Sequence, residues 1–220
     1  MITFDNERQA EAAVRLWREA FGDEEAYIRF FLSRHDDAAA LTESVDSSLV
    51  SALYLIDGEL IVHSVPHKAF YLFAAATFQQ HRGRGHMARL LQKAETYAQQ
   101  QGAQFIALVP ASPSLFDYYS RFGYQTAFYA RPVGADSLSS LELTGDRFQW
   151  TNAHLTYIRN EAKAFDYELL EKDGWLFPVE NGSILVPDPD KQHPYGMLLP
   201  LTETAKRIMP QNAYIGLAME

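Results

Sequence analysis

Hydrophobic positions along this chain follow two periods, and the switches between them mark out its elements. From Glu7 to Phe21, the residues Ala10, Val14, Trp17 and Phe21 recur at helical spacing, which predicts an amphipathic helix with one face against a core. The stretch FGDEEAYIRFFLSRH, Phe21 to His35, continues as a second helical segment with Tyr27, Phe30 and Phe31 inward. Leu49 to Ile56 and Glu59 to Ser64 lie on either side of Asp57-Gly58, a two-residue turn signal, so the pattern predicts a hairpin there. Tyr71 to Thr77 is continuous, uncharged and aromatic-rich, as a buried central strand should be. Helical spacing returns with Met87, Leu90, Leu91, Ala94 and Ala98, and Gly102 is the stop signal. Gln104 to Val109 reads as another buried strand. Ser112 then caps a helix with Pro113 at its first position, and Leu115, Phe116, Tyr119 and Phe122 form its apolar stripe up to Gly123.

Chemistry enters where the strand Tyr71 to Thr77 runs into a basic, glycine-punctuated loop, Arg82-Gly83-Arg84-Gly85, and then a helix. A helix begins with about four backbone N–H groups that lack an internal partner, and its aligned dipoles place roughly half a positive charge there. An anion fits that end, glycines let it approach the main chain, and Arg82 and Arg84 add formal charge. His81 to Lys93 carries four Lys or Arg and no acid, within a chain of net charge −9. The same succession also makes an ordinary α/β crossover with a solvated basic loop, so this segment alone leaves both readings open. The Walker A pattern GxxxxGK[ST] is absent, and Met87 and Ala88 after Gly85 do not complete GxGxxG.

A second block favours ligand binding. RGRGHMARLL resembles the acyl-CoA pyrophosphate loop of the GNAT superfamily of N-acyltransferases, and LFDYYSRFGY resembles the end of its later tyrosine-bearing helix. Both stand in the family's order, about thirty residues apart. The family pattern R/Q-x-x-G-x-G/A matches literally from Gln80. The register from Arg82 sets Leu90 and Leu91 at the family's helix leucines and is preferred, although it leaves Met87 where the family has Gly or Ala. Ser112 falls where many members carry Asn. The resemblance covers residues 1–132 and implies an α/β (mixed α+β) fold: a central mixed, mostly antiparallel sheet flanked by helices. It implies acetyl-CoA as co-substrate. The backbone of Arg82, Gly83, Arg84, Gly85, His86 and Met87 would hold the pyrophosphate, strand-edge groups of Ala75, Ala76 and Thr77 the pantetheine, with Ser112 nearby. The order helix, helix, hairpin, strand, loop and helix, then strand, helix and strand is the superfamily's order.

Composition narrows the remaining classes. At 220 residues, 47% apolar and 21% charged, the chain can bury the core of one large domain or of a domain with an appendage. Its acidic balance argues against nonspecific binding to nucleic acid or an anionic membrane. Without Cys there is no disulfide, thiol nucleophile or Cys-type metal site, and the seven His are scattered, so no metal is expected. The polar start MITFDNERQ is unlike a secretory signal, and no apolar run approaches the roughly 20 residues of a membrane span, so the expected location is cytoplasmic.

After a boundary near Pro132 the pattern is softer. Thr151 to Leu170 has Leu155, Ile158, Ala162 and Phe165 on one helical face, with Thr151 or Asn152 as its cap. Trp175 to Val179 and Ser183 to Val186 flank Glu180-Asn181-Gly182 as a hairpin, and DPDKQHPYG reads as a loop. Thr202 to Met209 is a short helix and Tyr214 to Met219 a final strand. Residues 133–220 form either a small C-terminal α+β lobe or an insertion whose strand 214–219 returns to the first sheet. The second is favoured, because a lone terminal strand would present a bare edge.

The resemblance further implies direct attack of a primary amine, on a small molecule or peptide, upon the thioester of acetyl-CoA. A lysine-like amine is almost wholly protonated at pH 7, a burden of roughly 4.6 kcal/mol that a base or a shifted pKa must relieve. Tyr119 stands at the family's tyrosine position, as donor to the departing sulfur; Tyr118 points about 100° away. No acid lies on Tyr71 to Thr77. Glu43 and Glu59 read as surface charges, and the main-chain carboxylate of Glu220 is the preferred base, by a looser resemblance to the enhanced intracellular survival acetyltransferases. Asp23, Glu24, Glu25, Asp36 and Asp37 would suit a cationic acceptor if they lined its cleft. A non-catalytic acyl-CoA sensor is the competing class, and an aminoacyl-tRNA-using relative ranks last.

Overall fold

Asn6 opens the first helix, its side chain accepting from the Gln9 amide at 3.0 Å, and Gly22 ends it in the left-handed region at φ 80°. This helix, α1 (Glu7–Phe21), is followed by α2 (Glu25–Arg34). The computed structural model describes residues 2–35 and 38–216.

The expected hairpin at Asp57-Gly58 is not formed. Strand β2 (Ser48–Val62) passes straight through those two residues. The turns lie at its ends instead: Asp46-Ser47 joins it to β1 (Ala38–Val45), and His63-Ser64 joins it to β3 (Val65–Thr77), all four with positive φ. Such mirror-image turns match the twist of the strands they link. Gly58 serves packing, since a Cβ there would sit 2.5 Å from the Phe148 ring. Phe148 belongs to β6 (Asp146–Trp150), which pairs with β2 from Ile61 to Gly58. A turn signal was thus spent on a close approach between strands.

Helix α3 (His86–Gln100), β4 (Phe105–Leu108), α4 (Pro113–Ser120) and β5 (Gln125–Gly134) follow. Beyond them the structure corrects several readings. The helix expected over 151–170 is α5 (Asn152–Phe165), its tail replaced by β7 (Leu169–Lys172), which pairs with β8 (Trp175–Pro178). Strand β9 (Ser183–Pro187) pairs with β5. The last third of the expected loop at 188–196 is overrun by β10 (Pro194–Pro200), followed by α6 (Glu203–Arg207) and β11 (Ala213–Tyr214). Among the described residues, the main sheet runs β1-β2-β3-β4-β10-β5-β11-β6, with β9 beside β5. It is mixed and mostly antiparallel; β3–β4 and both pairings of β11 are parallel. Residues 217–219 of the expected final strand lie outside the described residues, as do Asp36, Asp37 and Glu220.

The sheet is buried on both faces, with side chains alternating at period two. Tyr54, Ile56, Tyr71 and Phe73 join Trp17, Phe31 and Trp150 on one face. Leu53, Leu55, Phe70 and Leu72 join Leu90, Leu91 and Tyr119 on the other. The helical stripes read from the sequence are therefore the two covers of one sheet. Among the described residues no helix is long and apolar enough to cross a membrane.

Candidate functional site

Strands β3 and β4 pair in parallel only at Ala69↔Phe105, Phe70↔Ile106 and Tyr71↔Ala107. Beyond Tyr71 they part. At the same place β3 bulges: Ala52↔Ala76 and Tyr54↔Phe73 are in register, so Ala74 and Ala75 together oppose Leu53, and Ala74 takes φ 47°. An alanine in the left-handed region is uncommon and costs of order 1–2 kcal/mol, which the flanking ladder and core must offset. The bulge re-aims the strand edge into the gap that the parting opens.

That gap is a cleft of about 70 Å³ with Phe73, Ala74 and Ala75 on one wall and Leu108, Val109 and Tyr119 on the other. Trp17 and Asp23 close it from the α1 side, where the Trp17 indole N–H donates to Asp23 Oδ2 at 2.7 Å. Of the three strand-edge residues expected to contact pantetheine, only Ala75 lines the cleft. The Ala76 side chain packs beneath α1, and its carbonyl accepts from Ser51 Oγ at 2.7 Å. The Thr77 hydroxyl pairs with the same Ser51 at 2.8 Å. Phe73 and Ala74 line the cleft beside Ala75. The bulge sits inside an unbroken apolar run, and the alanine triplet at 74–76 is its only trace in the sequence.

At the far end of β3 the loop Arg82 to Gly85 is exposed, and Gly83 and Gly85 hold φ 73° and 76°. Gly85 is the N-cap of α3 and has no side chain to cap with. The first helical bond is Arg89 N to Gly85 O at 3.1 Å, so the amides of His86, Met87 and Ala88 have no acceptor in the helix. Three N–H groups without a helical acceptor, beside Arg82 and Arg84, make a cationic helix end suited to phosphate. Arg82 Nε also donates to the Thr77 carbonyl at 3.1 Å, which ties the loop to the end of β3.

The basic run is less naked than its sequence. Glu43, from β1, takes Arg89 Nε at 2.7 Å and Lys93 Nζ at 2.6 Å. Hydrogen bonds from Lys93 and then Arg89 hold its carboxyl below the usual carboxylate range, so Glu43 is a clamp on α3 and not a base. His86 is buried, and desolvation, followed by Arg89, pushes its imidazole below the ordinary value. It is neutral at pH 7, and Nδ1 accepts from Arg89 Nη2 at 2.7 Å. Glu59 is exposed on β2, opposite Gln149 of β6.

Tyr119 is 8% exposed, and burial pushes its phenol up to about 12. It is protonated at neutral pH and faces the cleft as a donor. Tyr118, next to it, packs on Phe122 with ring centroids 5.2 Å apart. Ser112 is the N-cap of α4 but makes no capping bond; its hydroxyl meets that of Ser114 at 3.1 Å, and Ala111 lines the cleft in its stead. Asp23 is the only carboxylate among the described residues lining the cleft. It is one of the acids read from the sequence as suited to a cationic acceptor if they lined the cleft; Glu24 and Glu25, its neighbours in that run, do not line it.

A family model described as an acetyltransferase (GNAT) domain matches residues 4–127. Among solved structures, a GCN5-related N-acetyltransferase from Kribbella flavida superposes with TM-score 0.65 at 14% identity, over 93% of this chain and 73% of that one. Eis1 from Mycobacterium abscessus gives 0.58 at 11% identity, over 94% of this chain and 67% of that one. The GNAT family N-acetyltransferase YhbS from Escherichia coli, solved in complex with CoA, gives 0.53 at 13% identity, over 96% and 86%. At such identities these likenesses speak to the fold. The chain spans only 34% of the length of a conserved Enterococcus faecalis protein that it also matches. A search of curated proteins finds no match.

Proposed function

The chain belongs to the GNAT acetyltransferase family, and on that premise we propose that it moves an acetyl group from acetyl-CoA to a primary amine by direct attack. The observation that carries this reading is the continuity of the parting. The β3 edge that β4 abandons after Tyr71 leads directly to the unpaired amides of His86 to Ala88. A pantetheine arm would extend β3 as a strand does, from Phe73 to Ala75, with the diphosphate on the α3 amides and the acyl end between the bulge and Tyr119.

Acetyl-CoA would supply the thioester carbonyl that the amine attacks, forming the C–N bond as the C–S bond breaks. The chain's own groups do the rest. Asp23 Oδ1, left over once Oδ2 is held by the Trp17 indole, receives the proton that the amine must lose. Tyr119 donates a hydrogen bond where negative charge gathers on the departing sulfur. Trp17 and Phe73, both nearly fully buried, keep water from the thioester.

The test has two arms. Calorimetric titration with CoA and acetyl-CoA should show saturable binding, and thiol release from acetyl-CoA with a panel of primary amines should show turnover. Binding without turnover for any amine class would favour the sensor reading, and absence of binding would remove both.

A further inference from the structure

A second and much larger cavity lies away from the parting of β3 and β4. It measures about 680 Å³ and is bounded by α5, the segment from β8 to β9, β11 and Tyr27 of α2; the hairpin expected over 175–186 is not formed, since β8 pairs with β7 and β9 with β5. Its lining contains two charged side chains, Glu161 and Glu180, and no Lys, Arg or His. Glu180 is exposed at the rim, whereas Glu161 is only 6% exposed, on the inward face of α5. Among the described residues Glu161 Oε2 has no hydrogen-bond partner, and neither does the hydroxyl of neighbouring Tyr157.

A carboxyl so placed is costly. Leaving a buried acceptor unmatched forfeits its hydration for nothing, and leaving a buried charge unpaired costs more. Desolvation pushes the Glu161 carboxyl up to about 7, an effect that the Tyr157 and Tyr27 phenols facing it only partly offset. The phenols of Tyr27, Tyr157 and Tyr167 are themselves held protonated, chiefly by burial and then by Glu161. Aromatic side chains line the same cavity, Tyr27, Tyr167, Phe177, Tyr195 and Tyr214 among them. One desolvated carboxylate in a cavity lined by aromatic rings, with no Lys, Arg or His among the described residues that line it, is the chemistry that recognises an ammonium group.

We propose that this cavity is a binding site for a small organic ammonium ion, whose charged head pairs with Glu161 and whose apolar body packs on the surrounding aromatic side chains. The site is separate from the thioester cleft, though Tyr27 touches both regions: it lines this cavity, and its ring lies 6.4 Å from that of Trp17. Occupancy at one is therefore one ring removed from the other.

The test uses benzylamine as the cationic probe, with benzyl alcohol and benzoate as neutral and anionic controls of similar shape, titrated calorimetrically into the full chain at pH 8. Benzylamine should bind saturably, at least ten-fold more tightly than either control. Glu161→Gln should weaken it ten-fold or more, and Glu180→Gln should change it less than two-fold. Because Glu161 must ionise and the facing phenols stay neutral, affinity should rise between pH 6 and pH 8 in the wild type and stay flat in Glu161→Gln. Equal affinity for benzylamine and benzyl alcohol, no saturable heat with benzylamine, or an unaltered affinity in Glu161→Gln would overturn the proposal. Acetyl-CoA titrated into Glu161→Gln checks its folding, and since this binding needs no acetyl transfer, its failure is distinct from failure of the proposed reaction.

Discussion

Replacing Tyr119 by Phe removes one oxygen from the cleft and little else, because the ring keeps its packing against Tyr118 and Tyr124 at 5.3 and 5.7 Å. The size of the effect follows from what that oxygen can do. Its pKa is pushed up to about 12, whereas an ordinary thiol titrates near 8.5, a gap of roughly 3.5 units or about 5 kcal/mol against outright transfer of the proton to a thiolate. Tyr119 thus acts as a hydrogen-bond donor to the developing charge, and full protonation of the thiolate is completed by solvent. Removing one donor of this kind from a water-poor site costs about 2.7–4 kcal/mol, or roughly 10²–10³ in kcat. Thiol release at saturating acetyl-CoA and amine measures it, with the acetyl-CoA Kd by calorimetry expected within two-fold of wild type. The two pH profiles should be parallel between pH 7 and 10, since the phenol does not titrate there. A kcat within three-fold of wild type, or a break in the wild-type profile that vanishes in Tyr119→Phe, would refute the reasoning.

Gly85→Ala forces a side chain into φ 76°, with its Cβ 3.4 Å from Arg89 Nη1; the strain of about 1–2 kcal/mol should distort the loop and raise the acetyl-CoA Kd about ten-fold by calorimetry, with thermal stability falling only slightly. Glu161→Gln should change how stability depends on pH. The folded carboxyl, raised to about 7, keeps a proton that the unfolded chain loses near 4.3, so the wild type's stability is fully present below the lower value and is lost as pH rises through the upper. Between pH 5 and pH 8 the variant should gain about 2–3 kcal/mol on the wild type, roughly 5–10 °C in Tm by calorimetry, and a constant difference would count against the burial argument. Truncation after Pro132 removes β10 from between β4 and β5; the product should fail to unfold cooperatively and should not bind acetyl-CoA, and a well-folded, binding-competent fragment would show that the strand is dispensable.

What the sequence made legible is what depends on local pattern. The stripe of Leu90, Leu91, Ala94 and Ala98 appears as the buried face of α3, and the glycines of the basic loop stand at positive φ before it. What it hid depends on contacts between distant segments. Asp57-Gly58 looks like a turn because the residue types that permit a turn also permit a close approach, and only the position of Phe148, ninety residues later, tells the two uses apart. Strand β10 is disguised because Pro194 and Gly196 carry loop signals at its start, yet Met197, Leu198 and Leu199 run fully buried between two strands read much earlier in the chain. Glu161 stands three residues after Ile158 and four before Phe165, so helical spacing puts this acid on the apolar face of α5. What the period does not show is that Tyr27 of α2 and the segment from β8 to β9 stand across a cavity from it.

The placement of β10 explains why the last third of the chain belongs in an account of the cleft. Strand β4 has four residues, and it pairs with β3 through only the first three of them. Its other edge is held along its whole length by β10, from Pro200↔Phe105 to Met197↔Leu108. The last of these pairs secures Leu108, the residue at which β4 has already left β3 and become a wall of the cleft. A strand end released on one side stays ordered only if it is paired on the other, because each unpaired buried backbone group would otherwise cost on the order of 1–3 kcal/mol. The parting of β3 and β4 thus depends on residues 194–200, far outside the motif that first points to it. On the opposite side of the cleft, the α1–α2 turn carrying Asp23 is tied instead by a side chain, the Trp17 indole that donates to Asp23 Oδ2 at 2.7 Å.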